Sequence, residues 1–207
     1  MSVYVTYLNM KRSKYQHLLD PLLKEPMFKA SEARSRGIPS RMLAHFHQKG
    51  MIERVGRGLY RVVEASSGVN LDFEELVLTA SSIPRGVVCL ISALCYYNLT
   101  DQIMREYWIA VPNTDKSPKR PHTRIVRMRN MSLGLTIVKM GKYEVKIFDR
   151  ERTVVDSFRY LSDEIAIKAL QAYLQPFSEK KADLPKLARY AKALRININK
   201  YIMALTT

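Results

Sequence analysis

The sequence predicts an α+β protein: an N-terminal winged helix-turn-helix followed by a larger α+β domain with a mostly antiparallel sheet and a helical C-terminal part. Three observations carry that prediction. The stretch "SRGIPSRMLAHFHQKGMIERVGRGLYRV" (35–62) places helical patterns on both sides of a Gly-Ile-Pro turn and ends in two alternating runs joined by Gly-Arg-Gly. Between 106 and 148, four runs of similar length read as strands. The chain before and after those runs is helical in pattern, which groups the strands together as in α+β domains.

In chain order, "KYQHLLDPLLKE" sets Tyr15, Leu18, Leu19, Leu22 and Leu23 at helical spacing. "FKASEARSRG" reads as a second helix, with Ser31 as its cap and Gly37 as the residue that ends it in a left-handed conformation. In "IPSRMLAHFHQKG" Ser40 is the expected N-cap and Gly50 the expected terminator. There Leu43, Phe46 and His47 fall on one side, and Arg41, Ala44, His45 and Gln48 on another. "MIERV" and "LYRVV" alternate like half-buried strands, with Arg57 between Gly56 and Gly58 at the tip. The order helix, helix, turn, helix, hairpin is that of a winged helix-turn-helix, expected over residues 1–65.

The small polar stretch "EASSGVN" (64–70) reads as a linker, and residues 71–207 as the second domain. "LDFEELVLTASSI" and "VVCLISALCYYN" look helical; "EYWIAVP", "TRIVRMR", "LTIVKM" and "YEVKIF" supply the strands. From Asp149 the pattern is helical again, through "DRERTVVDSFRYL" and "DEIAIKALQAYL". In the last segment Leu184, Leu187, Ala191, Leu194, Ile198, Ile202 and Leu205 form an apolar stripe along one long helix or two short ones. Asp149 is suited to cap its helix, while Arg152 and Asp156, spaced i, i+4, are placed to pair.

Charge narrows the class of partner. Thirty-four Lys and Arg against nineteen Asp and Glu give a net charge of +15, which favours a polyanion through counterion release. Cys89 and Cys95 lack both a CxxC spacing and a nearby His, so reduced thiols are expected rather than a zinc site. No window reaches the eighteen apolar residues of a membrane span, and the first residues lack the pattern of a signal peptide. A soluble, cytoplasmic protein without cofactor or metal is expected.

Basic residues concentrate where the winged helix lies. Lys29, Arg34, Arg36, Arg41, Lys49, Arg54, Arg57 and Arg61 face only Glu32 and Glu53 in acid. In such folds the second helix of the motif enters the major groove, with its N-terminal half against the bases. Arg41 is then suited to guanine, Gln48 to adenine or a phosphate, and Ser40 with the helix N-terminus to a phosphate. Arg57 at the wing tip suits the backbone or a narrow minor groove. The expected DNA-binding set is Ser40, Arg41, His45, Gln48, Lys49 and Arg57, with Arg36 and Arg61 beside them. His45 and His47 lie two apart and face different ways on a helix, which argues against a metal pair. A second basic run, "KSPKRPHTRIVRMR", offers Lys119, Arg120, Arg124, Arg127 and Arg129 as an accessory nucleic-acid surface or as a solvated loop.

Signals for catalysis are thin: no Ser/His/Asp set and no Gly-rich phosphate loop occur. The one alternative is a metal-dependent nuclease guided by the winged helix, with Glu144 and Lys146 on one face of a strand as an E-x-K pair. That site needs a further acid, and Asp115 is the nearest upstream acid in sequence. No catalytic residues are expected.

"FKASEARSRGIPSRMLAHFHQKGMIERVGRGLYRV", then "ISALCYYNLTDQ" with "EYWIAVP", then "VKIFDRERTVVDSFRYL", resemble in order the characteristic segments of the AbiEi antitoxin family of bacterial abortive-infection systems. The resemblance implies a transcriptional autorepressor that binds inverted repeats of double-stranded DNA in its own promoter. It also implies an antitoxin domain that opposes a nucleotidyltransferase-like toxin in type IV fashion, with no toxin–antitoxin complex required. Only the recognition-helix and wing positions, Ser40, Arg41, His45, Gln48, Lys49 and Arg57, carry over residue by residue.

Overall fold

The computed structural model describes residues 15–25, 27–63, 71–116, 120–175 and 181–206. The chain divides into two compact units, residues 1–69 with 141–143 and residues 70–140 with 144–207. The expected linker at 64–70 lies outside the described residues.

The first unit runs α1 (Gln16–Leu23), β1 (Met27–Lys29), α2 (Ala30–Ser35), α3 (Ser40–Gln48), β2 (Ile52–Gly56) and β3 (Leu59–Val62). It is a winged helix-turn-helix. Leu19, Leu22, Phe28, Ala33, Ile38, Leu43, Phe46 and Ile52 close one core beneath the helices. The strands form a three-stranded antiparallel sheet in the order β1-β3-β2. Strand β1 has no counterpart in the sequence reading, because three residues are too few to show a period of two. Its Phe28 pairs with Tyr60 and the rings stack at 5.8 Å.

Two expected caps shift, that of α2 by two residues to Lys29 and that of α3 by one to Pro39. Helix α2 starts at Ala30, ahead of Ser31, and the Lys29 N–H donates to Glu32 Oε2 at 2.9 Å. Helix α3 starts at Ser40 itself, with Pro39 in the extended capping position. Proline fixes φ near the value that position needs, and it offers no side-chain cap. The expected terminators hold: Gly37 and Gly50 have φ of +83° and +71°.

The second unit contains α4 (Leu71–Ser82), β4 (Val87–Val88), α5 (Leu90–Tyr96), β5 (Tyr107–Pro112), β6 (Thr123–Met128), β7 (Leu135–Met140), β8 (Tyr143–Phe148), α6 (Arg150–Tyr160), α7 (Asp163–Leu174), α8 (Leu184–Leu194) and α9 (Asn199–Thr206). Its five-stranded sheet has the order β6-β5-β4-β8-β7. The α+β class is as expected. The sheet is mixed where a mostly antiparallel one was expected: β4 is antiparallel to β5 but parallel to β8, and β5 is parallel to β6. Two features cause this. The 113–122 connection carries the chain back to the end where β5 began, and β4 inserts between β5 and β8. That strand is only Val87–Val88, at the head of a stretch whose pattern predicts helix; helix begins after Cys89, which occupies the capping position.

Helices α5 to α9 share a second core built from Leu94, Val154, Val155, Ala169, Leu170, Tyr173, Leu187, Ala191 and Ile198. The C-terminal stripe is borne by two helices, because Arg195 takes a left-handed conformation (φ +55°) and ends α8. Asp149 caps α6, its Oδ1 accepting the Arg152 N–H at 2.9 Å. The Arg152–Asp156 pair forms at 2.7 Å with side chains only 2% and 3% exposed. Burial pushes the Asp156 carboxyl above its ordinary range, and the adjacent Arg152 charge opposes that push.

Candidate nucleic-acid interface

The site is built on α3 and the β2–β3 hairpin of the first unit. Leu43 and Phe46 are buried and hold one side of α3 against the core. Helical geometry then turns Arg41, His45 and Gln48, at i, i+4 and i+7, onto one outward stripe. All three are exposed, as are Ser40 and Lys49. His45 touches the Phe46 ring edge-on at 6.0 Å. His47 is also exposed, and its Nδ1 lies 3.0 Å from the Ile52 carbonyl oxygen. It joins helix to wing, rather than packing half-buried as its sequence position implied.

The wing places Arg57 and Gly58 as the two turn residues between β2 and β3. Gly58 has φ of +70°, a conformation that costs a side-chain-bearing residue free energy. A register shift between Arg54 and Gly56 bulges the strand just before the turn, which adds local twist. The tip is also tied down: the Ala30 N–H donates to the Gly58 carbonyl at 2.8 Å. Arg57 thus projects from a turn that is anchored to the start of α2, and its side chain is exposed.

Not every expected contact residue is equally available. Arg36 is exposed just past α2. Arg61 is half-buried and engages Glu53, its cross-strand partner, at 2.7 Å. Such a pair commits the guanidinium to fixing strand register.

The accessory basic residues lie in the second unit, apart from Lys119, which is outside the described residues. Arg120 is half-buried and donates to Ser82 Oγ at 3.1 Å. Arg124 covers the Trp108 ring at 4.4 Å and lies 3.9 Å from Glu106. Arg127 donates to the Asp115 backbone carbonyl. Arg129 is exposed at the end of β6. Arg120, Arg124 and Arg127 are therefore each engaged by partners within their own unit.

Glu144 and Lys146 do share the exposed face of β8, while Tyr143, Val145 and Ile147 are buried. Asp115, the acid nearest upstream in sequence, is committed to Arg85, whose Nε donates to Oδ2 at 2.9 Å. Among the described residues no group of three His, Cys, Asp or Glu is placed to hold a metal ion. Among the described residues, then, the ligand set that the nuclease reading requires is not assembled. Cys89 is buried and Cys95 half-buried, both as free thiols. No described helix is long and apolar enough to cross a membrane.

Residues 18–63 match the family model described as "Transcriptional regulator, AbiEi antitoxin". The match runs from within α1 through the wing, the part of the chain that carries the outward stripe and Arg57. No curated protein matches the chain.

Proposed function

We propose that this chain, whose residues 18–63 match the AbiEi antitoxin transcriptional regulator family model, is the autorepressor and antitoxin of a type IV toxin–antitoxin operon. Residues 1–65 form the DNA-binding domain and 71–207 the antitoxin domain, which opposes a nucleotidyltransferase-like toxin without a stable complex. It is a cytoplasmic regulator, not an enzyme. The observation that supports the first half is the outward stripe Arg41, His45 and Gln48 beside an anchored wing arginine.

In the docked state α3 enters the major groove of the promoter duplex. Ser40 lies at its N-terminal end, where backbone N–H groups attract a phosphate. Arg41 reads a base edge, His45 and Gln48 extend that contact along the groove, and Lys49 meets the backbone. The wing carries Arg57 to the adjacent phosphates or the minor groove. Arg36 reinforces the backbone contacts. Arg61 contributes charge through its field, since Glu53 engages its guanidinium. Arg124, Arg127 and Arg129 add a weaker, salt-sensitive attraction from the second unit.

The test is fluorescence anisotropy of the full chain on duplex DNA from immediately upstream of its gene, against a shuffled duplex, across a salt series. Preference for the promoter duplex with steep salt dependence is expected. Equal affinity for both duplexes contradicts sequence-specific repression. Arg41→Ala should weaken promoter binding by about 1–3 kcal/mol and narrow the gap to the shuffled duplex. Arg57→Ala should weaken binding to both duplexes alike and reduce the salt slope by about one. If neither substitution alters affinity, α3 and the wing are not the DNA-contacting elements.

A further inference from the structure

The five-stranded sheet ends on β6 at one side and on β7 at the other. The two edges differ in how they meet solvent. Strand β6 sets Arg124 and Arg127 outward, and charged side chains of this kind keep an edge from pairing with another chain. Strand β7 instead exposes Leu135 (42%) and Ile137 (58%), followed by Lys139. Among the described residues nothing pairs with the outer side of β7. A six-residue edge strand with apolar side chains at its middle is a template for a further strand.

The backbone of β7 is oriented for that addition. Only residues 141 and 142 separate β7 from β8. In a hairpin with a two-residue turn the flanking residues, here Met140 and Tyr143, exchange the hydrogen bonds nearest the turn. Alternation then directs the backbone groups of Thr136 and Val138 at β8, and those of Ile137 and Lys139 at the open edge. The same register sets Ile137 beside Lys146 and Lys139 beside Glu144 on the exposed face.

This edge is complementary to itself. A second β7 laid antiparallel, with the two-fold axis at Ile137, pairs Ile137 with the partner's Ile137 and Leu135 with the partner's Lys139. Leu135 and Ile137 of both copies then form one apolar centre, and the methylene stem of each Lys139 covers a leucine while its ammonium stays near Glu144. An apolar centre inside a charged rim is the usual anatomy of a protein interface. No like charges face each other, because the two Lys139 side chains lie roughly 14 Å apart along the strands, beyond the roughly 8 Å screening length of physiological salt. The contact uses one patch twice, as a closed two-fold dimer requires.

We propose that β7 is a dimerisation strand, which joins the sheets of two copies edge to edge through Leu135 and Ile137. The inference does not rest on the repressor reading. Sedimentation velocity of the full chain over a concentration series should show a species of twice the chain mass. Each copy carries a net charge of +15, so self-association should strengthen as salt is raised, the reverse of the salt dependence of DNA binding. Ile137→Lys should weaken self-association at least tenfold. Ile103→Lys makes the same change at another exposed apolar residue, 80% accessible, and should leave it unaltered. Directly opposed residues of such a pair have Cα atoms about 5.5 Å apart, within disulfide reach. Mild oxidation should therefore cross-link Ile137→Cys into a covalent dimer, with the wild-type chain as the blank for Cys89 and Cys95. The proposal is overturned if the chain stays monomeric at high salt and high concentration, or if Ile137→Lys associates as the wild type does. It is equally overturned if Ile137→Cys cross-links no better than Ile103→Cys. Because Ile137→Lys leaves α3 and the wing untouched, DNA affinity measured on it is a separate result.

Discussion

Asp156→Ala should lower the stability of the second unit by about 3–5 kcal/mol, the usual cost of removing one partner of a buried ion pair. The partner left behind is Arg152, whose side chain is 2% exposed. Arginine cannot shed its proton to escape burial. In the intact protein its guanidinium is almost fully used. Its Nε donates to Asp156 at 2.7 Å, one terminal nitrogen donates to the Leu133 carbonyl at 2.9 Å, and the other to the Asn130 carbonyl at 3.1 Å. The plane also lies 4.5 Å from the Phe148 ring centre. Removing the carboxylate strips away the charge that neutralises Arg152 and leaves its Nε–H without that acceptor. Asp156→Asn keeps an acceptor but loses the charge, so its cost should be smaller. Urea unfolding followed through Trp108, the only tryptophan, reads this effect in the unit concerned. A loss below about 1 kcal/mol would contradict the view that the pair is a sealed ionic lock.

Gly134→Ala should destabilise the same unit by about 2–4 kcal/mol, from two additive causes. Gly134 has φ of +69°, and a Cβ there would lie 2.6 Å from Arg152 Cβ. The neighbour is a backbone-fixed atom of α6, so it cannot rotate away. The Gly134 carbonyl also accepts the Asp149 N–H at 2.7 Å, which ties the turn before β7 to the start of α6. Relief of the clash would have to move the helix that carries Asp149, Arg152 and Asp156. Gly134→Ala and Asp156→Ala act on the same arginine, so the double variant should be less destabilised than the sum of the singles. Strict additivity in urea unfolding would show that the turn and the ion pair are independent.

The winged helix was legible because its signals are local. Gly37 and Gly50 mark positions where the chain must turn left-handed, and both do. Leu43 and Phe46 identify the buried side of α3, so the opposite stripe with Arg41, His45 and Gln48 follows from helical geometry alone. The hairpin around Arg57 is set by its glycines and by alternation on either side. Asp149 as a cap and the i, i+4 pairing of Arg152 with Asp156 were legible for the same reason: the partners lie within one helical turn.

What the sequence left open depends on contacts between distant segments. Strands β1 and β4 are too short to show a period, and β4 becomes central only because β5 and β8 flank it. The pairing of Arg61 with Glu53 depends on strand register, which no local signal around either residue shows. The i, i+4 spacing of Arg152 and Asp156 spoke of pairing but not of burial, which comes from carbonyls on the loop before β7. Lys186 reaches Asp149 and Glu151 only because α8 packs against α6. The sequence by itself therefore determined the α+β class, the winged helix and the residues it turns outward, since these follow from torsions and hydrogen bonds within a few residues. Only the tertiary structure decided the sheet order, which strands are left at its edges and which charges are neutralised, because those depend on which remote segments come together when the core closes.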